Sequence, residues 1–347
     1  MRLNRRRFLQ STGALAVIPS LPAAGTTMPA VTASVRRTAS PMTIIMHLRG
    51  GADGLALVTP YRHPAFYDVR PTTLCPPPGS GDGALLDLDG TFGLHPGLGI
   101  IHNLLRRGSG TIVHAVGRPS ATRSHFIEQD AWAQASDEPC EHGASWVAHR
   151  LASGRTRSVD PANPLVLTAD GVWSDLDDHP GRASLAALHR TMCPAWMPTD
   201  ENPSLRDKFT MLMQLMAHGV RPDFVGVAVD GWDTHRDQRH RLDASQDLMR
   251  ELRSALIPFL RQCWRDPHGV RLLLVSEFGR SLRENTMGGT DHGDAGVVLV
   301  LDNTRRFDRP VDGRLPDLRS AIDGGAVGLP AMTDFREVLR RYASACC

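Results

Sequence analysis

Nowhere in its 347 residues does the sequence hold an apolar run of the roughly 20 residues a membrane-spanning helix requires, so no stable membrane span is expected. A strong basic excess is also missing. The 39 Lys+Arg stand against 37 Asp+Glu, a formal net charge of +2, where a dedicated nucleic-acid binder shows a large positive surplus. Lysine is nearly absent: Lys208 stands alone, and the positive charge is otherwise arginine, a skew that genome composition can produce and that carries no functional weight. Cysteine is sparse. Cys75, Cys140, Cys193, Cys263, Cys346 and Cys347 form no C-x-x-C pair and no zinc-finger spacing, and six in this length do not make a disulfide scaffold. With 41% hydrophobic and 22% charged residues the composition is that of a globular chain, long enough for one large domain or two small ones.

What is present begins with an address. Residues 1–25 run from a charged start, Arg5-Arg6-Arg7-Phe8-Leu9, through a weakly apolar stretch broken by Gly13, Pro19 and Pro22, to the small exit Ala23-Ala24-Gly25. That order describes an export signal, and the arginine pair resembles the twin-arginine type. The expected partner during export is the twin-arginine translocase, and the expected location is periplasmic or extracellular. Removing residues 1–25 takes away Arg2, Arg5, Arg6 and Arg7 and no acidic residue, so the formal charge of +2 becomes −2. Residues 26–42, rich in Thr, Ala, Ser and Pro, read as a linker, and 43–347 as a single domain.

Within that domain, short β-branched apolar runs at 43–48, 111–116, 164–168, 224–229, 271–275 and 296–301 read as strands buried on both faces. Helical patterns at 95–107, 204–218, 242–264 and 333–345 carry one apolar stripe each, and a further helix is expected at 124–136. Alternating strands and helices predict an α/β fold: a mostly parallel sheet with helices on both faces. Ligands in such sheets sit beyond the carboxyl ends of the strands. The irregular stretches 71–93 and 170–203 are long connections of the kind that cover sites.

Polar clusters fall where a site would be. They are Arg49-Gly50-Gly51-Ala52-Asp53-Gly54, Thr122-Arg123-Ser124-His125-Phe126, Gly231-Trp232-Asp233-Thr234-His235, Ser276-Glu277-Phe278-Gly279-Arg280 and Gly289-Thr290-Asp291-His292-Gly293. Four follow strands and the last precedes one. Carboxylates and imidazoles converging on one sheet edge are the ingredients of a divalent-metal site. Each cluster alone could be a turn, a surface loop or an ion pair; together they favour a site. Ser124 reads either as a helix N-cap or as a nucleophile, with Thr122 as the alternative hydroxyl. Arg123 or Arg280 could clamp an anionic group.

These five motifs, in this order, resemble those of an exported bacterial family catalogued as domain of unknown function 1501, grouped with the alkaline-phosphatase-like superfamily. The resemblance spans roughly 43–302. It implies a two-metal site with a Ser or Thr nucleophile acting on an anionic ester. On this basis Asp53, Asp233, His235, Glu277 and His292 resemble metal ligands and Ser124 the nucleophile. Asp291-His292 offers an alternative match to the superfamily's Asp-His pair, which would make Asp291 a ligand. Phe278 stands where that pair's histidine would be if Glu277 takes the aspartate's place. The spacing Asp233-x-His235 is shorter than the superfamily's. The resemblance thus implies a metal-dependent phosphate or sulfate ester hydrolase. Zn²⁺ suits the ligand mix best, with Mn²⁺ or Ca²⁺ also compatible. The competing expectation is a catalytically degenerate metal- or carbohydrate-binding envelope protein of the same fold.

Overall fold

The computed structural model describes residues 41–139, 145–147, 166–168, 182–184, 203–243 and 245–343. The expected signal at 1–25, all but the last two residues of the linker, Cys140, Cys193, Cys346, Cys347 and most of 170–203 lie outside the described residues.

Twelve strands are described: β1 (Met42–Leu48), β2 (Val58–Thr59), β3 (Leu86–Asp87), β4 (Gly93–Leu94), β5 (Gly110–Gly117), β6 (Val166–Thr168), β7 (Arg182–Ser184), β8 (Phe224–Val229), β9 (Val270–Val275), β10 (Gly296–Asp302), β11 (Val311–Asp312) and β12 (Thr333–Asp334). Nine form one sheet in the order β11-β5-β10-β9-β1-β8-β6-β7, with β12 also on β5. Every pairing in it is parallel except the two made by β10, which runs against β5 and β9. The expected mostly parallel α/β sheet is therefore the observed one. All six strands read from the apolar runs are present, with ends shifted by at most two residues. The strands β2, β3 and β4 make a separate small sheet.

Strand alternation divides the core into two layers. Ile44, Met46, Leu48, Val225, Val227, Val229, Leu272 and Leu274 face one cluster. Ile45, Phe224, Leu273, Val275, Val298 and Val300 face the other. The helices α1 (Gly54–Leu57), α2 (Gly99–Arg106), α4 (Leu205–Ala217) and α5 (Asp247–Cys263) supply the first cluster, and α3 (His125–Gln134) belongs to the second. Helix α4 is as expected, Ser204 capping it by accepting from the Asp207 N–H at 3.2 Å. Two expected helices are corrected. The pattern from Leu242 does not run unbroken, because Asp243 accepts from the Ser245 N–H in a local turn and α5 starts only at Asp247. The stretch 333–345 opens with strand β12, continues as the short helix Phe335–Val338, and ends in the wider turn Leu339–Ala343.

Two histidines lie in this core rather than near the polar clusters. His114, fully buried on β5, stacks on Phe92 with ring centroids 4.8 Å apart. His95 accepts the Gly97 N–H through Nδ1 at 3.1 Å, which requires a neutral ring. Burial lowers both to about 4 from an ordinary 6.5. The unfolded chain therefore binds protons that the folded chain refuses. Stability is expected to fall as pH drops from about 6.5 towards 4, by something of the order of 3 kcal/mol per histidine. Urea unfolding at pH 7 and pH 4.5 measures this, and His114→Leu should flatten the decline relative to the unsubstituted chain.

Candidate metal centre

The antiparallel β10 explains how the site assembles. The carboxyl ends of β1, β5, β8 and β9 share one sheet edge, and because β10 runs the other way its preceding loop arrives at that same edge. All five polar motifs thus meet there. Gly50 and Gly51 let them approach. Both have positive φ, +119° and +65°. A Cβ on Gly50 would lie 2.3 Å from the Asp233 nitrogen, and one on Gly51 2.3 Å from the Phe278 ring.

Arg280 joins the loops. Its buried guanidinium donates to the carbonyls of Gly51 (Nε, 2.6 Å), Thr290 (Nη1, 2.8 Å), Gly50 and Trp232 (Nη2), and to Asp233 Oδ1. Backbone pairing of Arg280 with His292 adds a further tie. A residue expected to clamp a ligand is here engaged by protein acceptors.

The centre of the edge is a group of three imidazoles around Asp233. His235 Nε2 lies 3.0 Å and His292 Nε2 3.3 Å from Asp233 Oδ1, and His125 Nε2 lies 3.8 Å from Oδ2. The two nitrogens His235 Nε2 and His292 Nε2 are 3.1 Å apart. Each ring is oriented from behind by an acceptor. His125 Nδ1 donates to Glu277 Oε1 at 2.8 Å, His235 Nδ1 to Asp291 Oδ1 at 3.0 Å, and His292 Nδ1 to the Arg123 carbonyl at 3.1 Å. Carboxylates and carbonyls accept only, so the proton of each neutral ring sits on Nδ1 and the lone pair on Nε2. His125, Asp233 and His292 each bring one ligand atom within 4.8 Å of the other two, and His235 Nε2 lies beside Asp233 and His292. Lone pairs and a carboxylate gathered this closely repel one another unless a cation neutralises them, and the chemistry fits a divalent ion held by His125, His292 and Asp233, with acceptor partners behind each ring. Burial holds His292 below the ordinary imidazole range, in keeping with a neutral ligand. For Asp233 burial opposes ionisation, but the hydrogen bond and charge of Arg280 prevail and its carboxyl is held low. The cluster is reachable: the Asp233 side chain is 46% exposed, and Phe126, next to His125 in the chain, is 81% exposed.

The remaining expected residues surround this group. Glu277 is buried and accepts from the Gly50 N–H, His47, His125 and Gln129, at 2.8–3.3 Å. Burial resists its charge, yet these donors, His47 foremost, hold it well below the carboxylate range. Asp53, expected at the metal, caps α1 through the Leu55 and Ala56 N–H groups and takes Arg70 Nη1 at 2.5 Å and Gln238 Nε2 at 2.6 Å. Asp291 supports His235 from outside. Arg123 pairs bidentately with Asp294, at 2.8 and 3.1 Å. Thr122 donates its hydroxyl to Glu128 at 2.9 Å. Ser124 is the N-cap residue of α3, but its side chain makes no cap hydrogen bond. It lies between Arg123, whose carbonyl holds His292, and His125, a member of the cluster. Phe278 lies against both His125 and His292, ring centroids 4.8 Å apart in each case.

His125 is a candidate ligand that residue type and spacing do not mark, although it stands within Thr122-Arg123-Ser124-His125-Phe126. The available signal was its position at the first turn after β5, on the same edge as Asp233 and His292.

Residues 186–301, about a third of the chain, match the family described as Protein of unknown function (DUF1501). This bears out the family resemblance over the segment that holds Asp233, His235, Glu277, Arg280 and His292. No curated protein matches. Among solved structures, the chain is similar to phosphonoacetate hydrolase from Sinorhizobium meliloti 1021 (15% identity, 70% of this chain and 57% of that one, TM-score 0.34). It is also similar to the soluble domain of lipooligosaccharide phosphoethanolamine transferase A from Neisseria meningitidis (11%, 76% and 77%, TM-score 0.37). A third is the lipoteichoic acid synthase LtaP from Listeria monocytogenes (9%, 86% and 74%, TM-score 0.39). The chain thus spans little more than half the length of the hydrolase.

Replacing Arg280 should unfasten the edge. Arg280→Met leaves Asp233 and the Gly50, Gly51 and Thr290 carbonyls without their donor, a loss expected to cost about 3–5 kcal/mol in denaturant unfolding. Arg280→Lys should recover only a fraction, because one ammonium cannot span acceptors on three loops.

Proposed function

We propose that the chain is an exported, metal-dependent hydrolase of phosphate or, less favourably, sulfate esters, working at the Asp233 cluster. The observation that carries this reading is the triple orientation of His125, His235 and His292, each with Nδ1 committed to an acceptor and Nε2 turned on Asp233. A chain does not hold three lone pairs together for packing alone. His125, Asp233 and His292 would hold the ion, with His235 next to them, Zn²⁺ being the best fit to that donor set and Mn²⁺ or Ca²⁺ less suited to imidazoles. When bound, the ion supplies Lewis-acid polarisation of the ester oxygen.

The chain's own residues do the rest. Glu277, Asp291 and the Arg123 carbonyl hold the three rings in register, and Arg280 holds the Asp233 carboxylate. Asp53 acts one layer behind, fixing the turn after β1. Ser124, at the mouth of α3, is the nucleophile. Its oxygen bonds to phosphorus as the ester P–O bond breaks, its proton passes to solvent, and the departing alcohol takes up a proton. Water then cleaves the phosphoseryl bond and restores the hydroxyl. The free N–H groups of the first turn of α3 favour an anion beside Ser124. In the cell, residues 1–25 would direct the folded chain through the twin-arginine translocase to the periplasm or beyond.

One observation favours the second reading, a binder without turnover. Arg123 and Arg280, the expected anion clamps, are both engaged by protein acceptors. Metal analysis with an ester panel separates the two. The folded chain is expected to carry one divalent ion and to cleave a phosphomonoester or phosphodiester. Asp233→Ala or His292→Ala should lose both ion and activity, and Ser124→Ala activity alone. Glu277→Gln should lower metal affinity about 10–100-fold. A chain that binds the ion but turns over no ester is the metal binder; a chain that takes up no ion overturns the hydrolase and the metal binder, leaving only a carbohydrate binder of the same fold.

A further inference from the structure

We propose that the chain carries a second ligand site, for a phosphate dianion, at the sheet edge opposite the histidine cluster; it does not depend on the hydrolase reading. The loop leaving the carboxyl end of β10 and entering β11 lies beyond the amino end of β5, so it sits on the far side of the sheet from Asp233. There a cavity of about 320 Å³ is lined by Arg305, Arg306, Arg309 and Arg341 with only two carboxylates, Asp308 and Asp312.

These guanidinium groups are incompletely neutralised. Arg341 pairs with Asp312 at 3.1 Å. Arg305 lies over the rings of Phe307 and Tyr342, 4.4 and 4.8 Å from their centroids, and the carboxylate it pairs with, Asp302, is 3.9 Å away and already accepts from Arg271 at 3.0 Å. Arg306 and Arg309 make no ion pair among the described residues. Stacking thus fixes one planar donor fork while leaving its charge largely unmet, which suits a tetrahedral oxyanion better than a protein carboxylate already engaged elsewhere.

The second observation comes from the cavity floor. Thr111 lines it, is 1% exposed, and its hydroxyl has no hydrogen-bond partner among the described residues. A buried orphan hydroxyl destabilises a fold unless something meets it. A phosphate oxygen in the cavity would accept that proton while its other oxygens took the guanidinium N–H groups.

The test uses the full chain in EDTA, which removes any ion from the histidine cluster. Inorganic phosphate is titrated by calorimetry and thermal melting, against sodium chloride at matched ionic strength. Phosphate should bind and raise Tm beyond the chloride control. Arg305→Gln with Arg306→Gln should weaken binding about tenfold or more. Thr111→Val should raise Tm without phosphate yet lose most of the phosphate-dependent rise, two opposite signs that a merely structural threonine would not give. His292→Ala should bind as the unsubstituted chain does. The proposal is overturned if chloride matches phosphate, if His292→Ala abolishes binding, or if the arginine and threonine variants bind unchanged. Should the double variant fail to fold, the exposed Arg306→Gln decides alone. Glycerol phosphate binding more tightly than inorganic phosphate would mark the ligand as the phosphate end of a larger ester, and equal binding as the free ion.

Discussion

The guanidinium of Arg280 is the contact on which the functional edge depends. Four polar loops end at one side of a sheet, and each brings backbone carbonyls that helix or strand pairing cannot satisfy. One planar group with five N–H donors reaches carbonyls of three of them and the Asp233 carboxylate besides. Apolar packing could not replace it, because the surfaces being joined are carbonyl oxygens. Buried charge of this kind is costly in isolation and becomes favourable only when fully met, as it is here. Asp233 gains most, since its charge is fixed on one side by Arg280 and offered on the other to the histidines.

The layer behind the histidines follows the same economy of donors and acceptors. Glu277 gathers His47, His125, Gln129 and the Gly50 N–H, so one buried carboxylate both positions a ring of the cluster and fastens the glycine turn after β1. Asp53 does the equivalent for α1, Arg70 and Gln238. The cluster therefore has two kinds of carboxylate: Asp233, open to solvent and facing the nitrogens, and its buried neighbours, saturated by donors. Position in the hydrogen-bond network, rather than residue type, separates them.

Much of the fold was legible in the sequence. The runs at 43–48, 224–229 and 271–275 are mostly apolar on both faces, and they form three neighbouring strands in the middle of the sheet. Strands β7, β11 and β12 were not, because two or three residues hold no periodicity to read, and β11 and β12 pair only through contacts supplied by β5. Sequence also located the loops that converge, but not the division of labour within them. Asp53, Glu277 and Asp233 look alike as acidic residues after strands, and an arginine facing a ligand looks the same as one facing carbonyls. His125 carries no separate signal in the sequence, because it stands in a motif whose hydroxyls, Thr122 and Ser124, already suit a nucleophile. Only the placement of Glu277 Oε1 behind its Nδ1 gives the imidazole its direction.

The reversed direction of β10 has a consequence for how the centre comes into being. Arg280 and His292 face each other across a local antiparallel ladder, with the Ser281 N–H donating to Asp291 O and the Gly293 N–H to Gly279 O. That half can form from one short stretch of chain at little loop-closure entropy. His125 and Asp233 join only when β5 and β8, remote in sequence, have docked on either side of it. Occupancy of the centre by an ion would therefore report that β5, β10, β9, β1 and β8 have all docked, a gauge of the folding of the sheet's middle rather than of one loop.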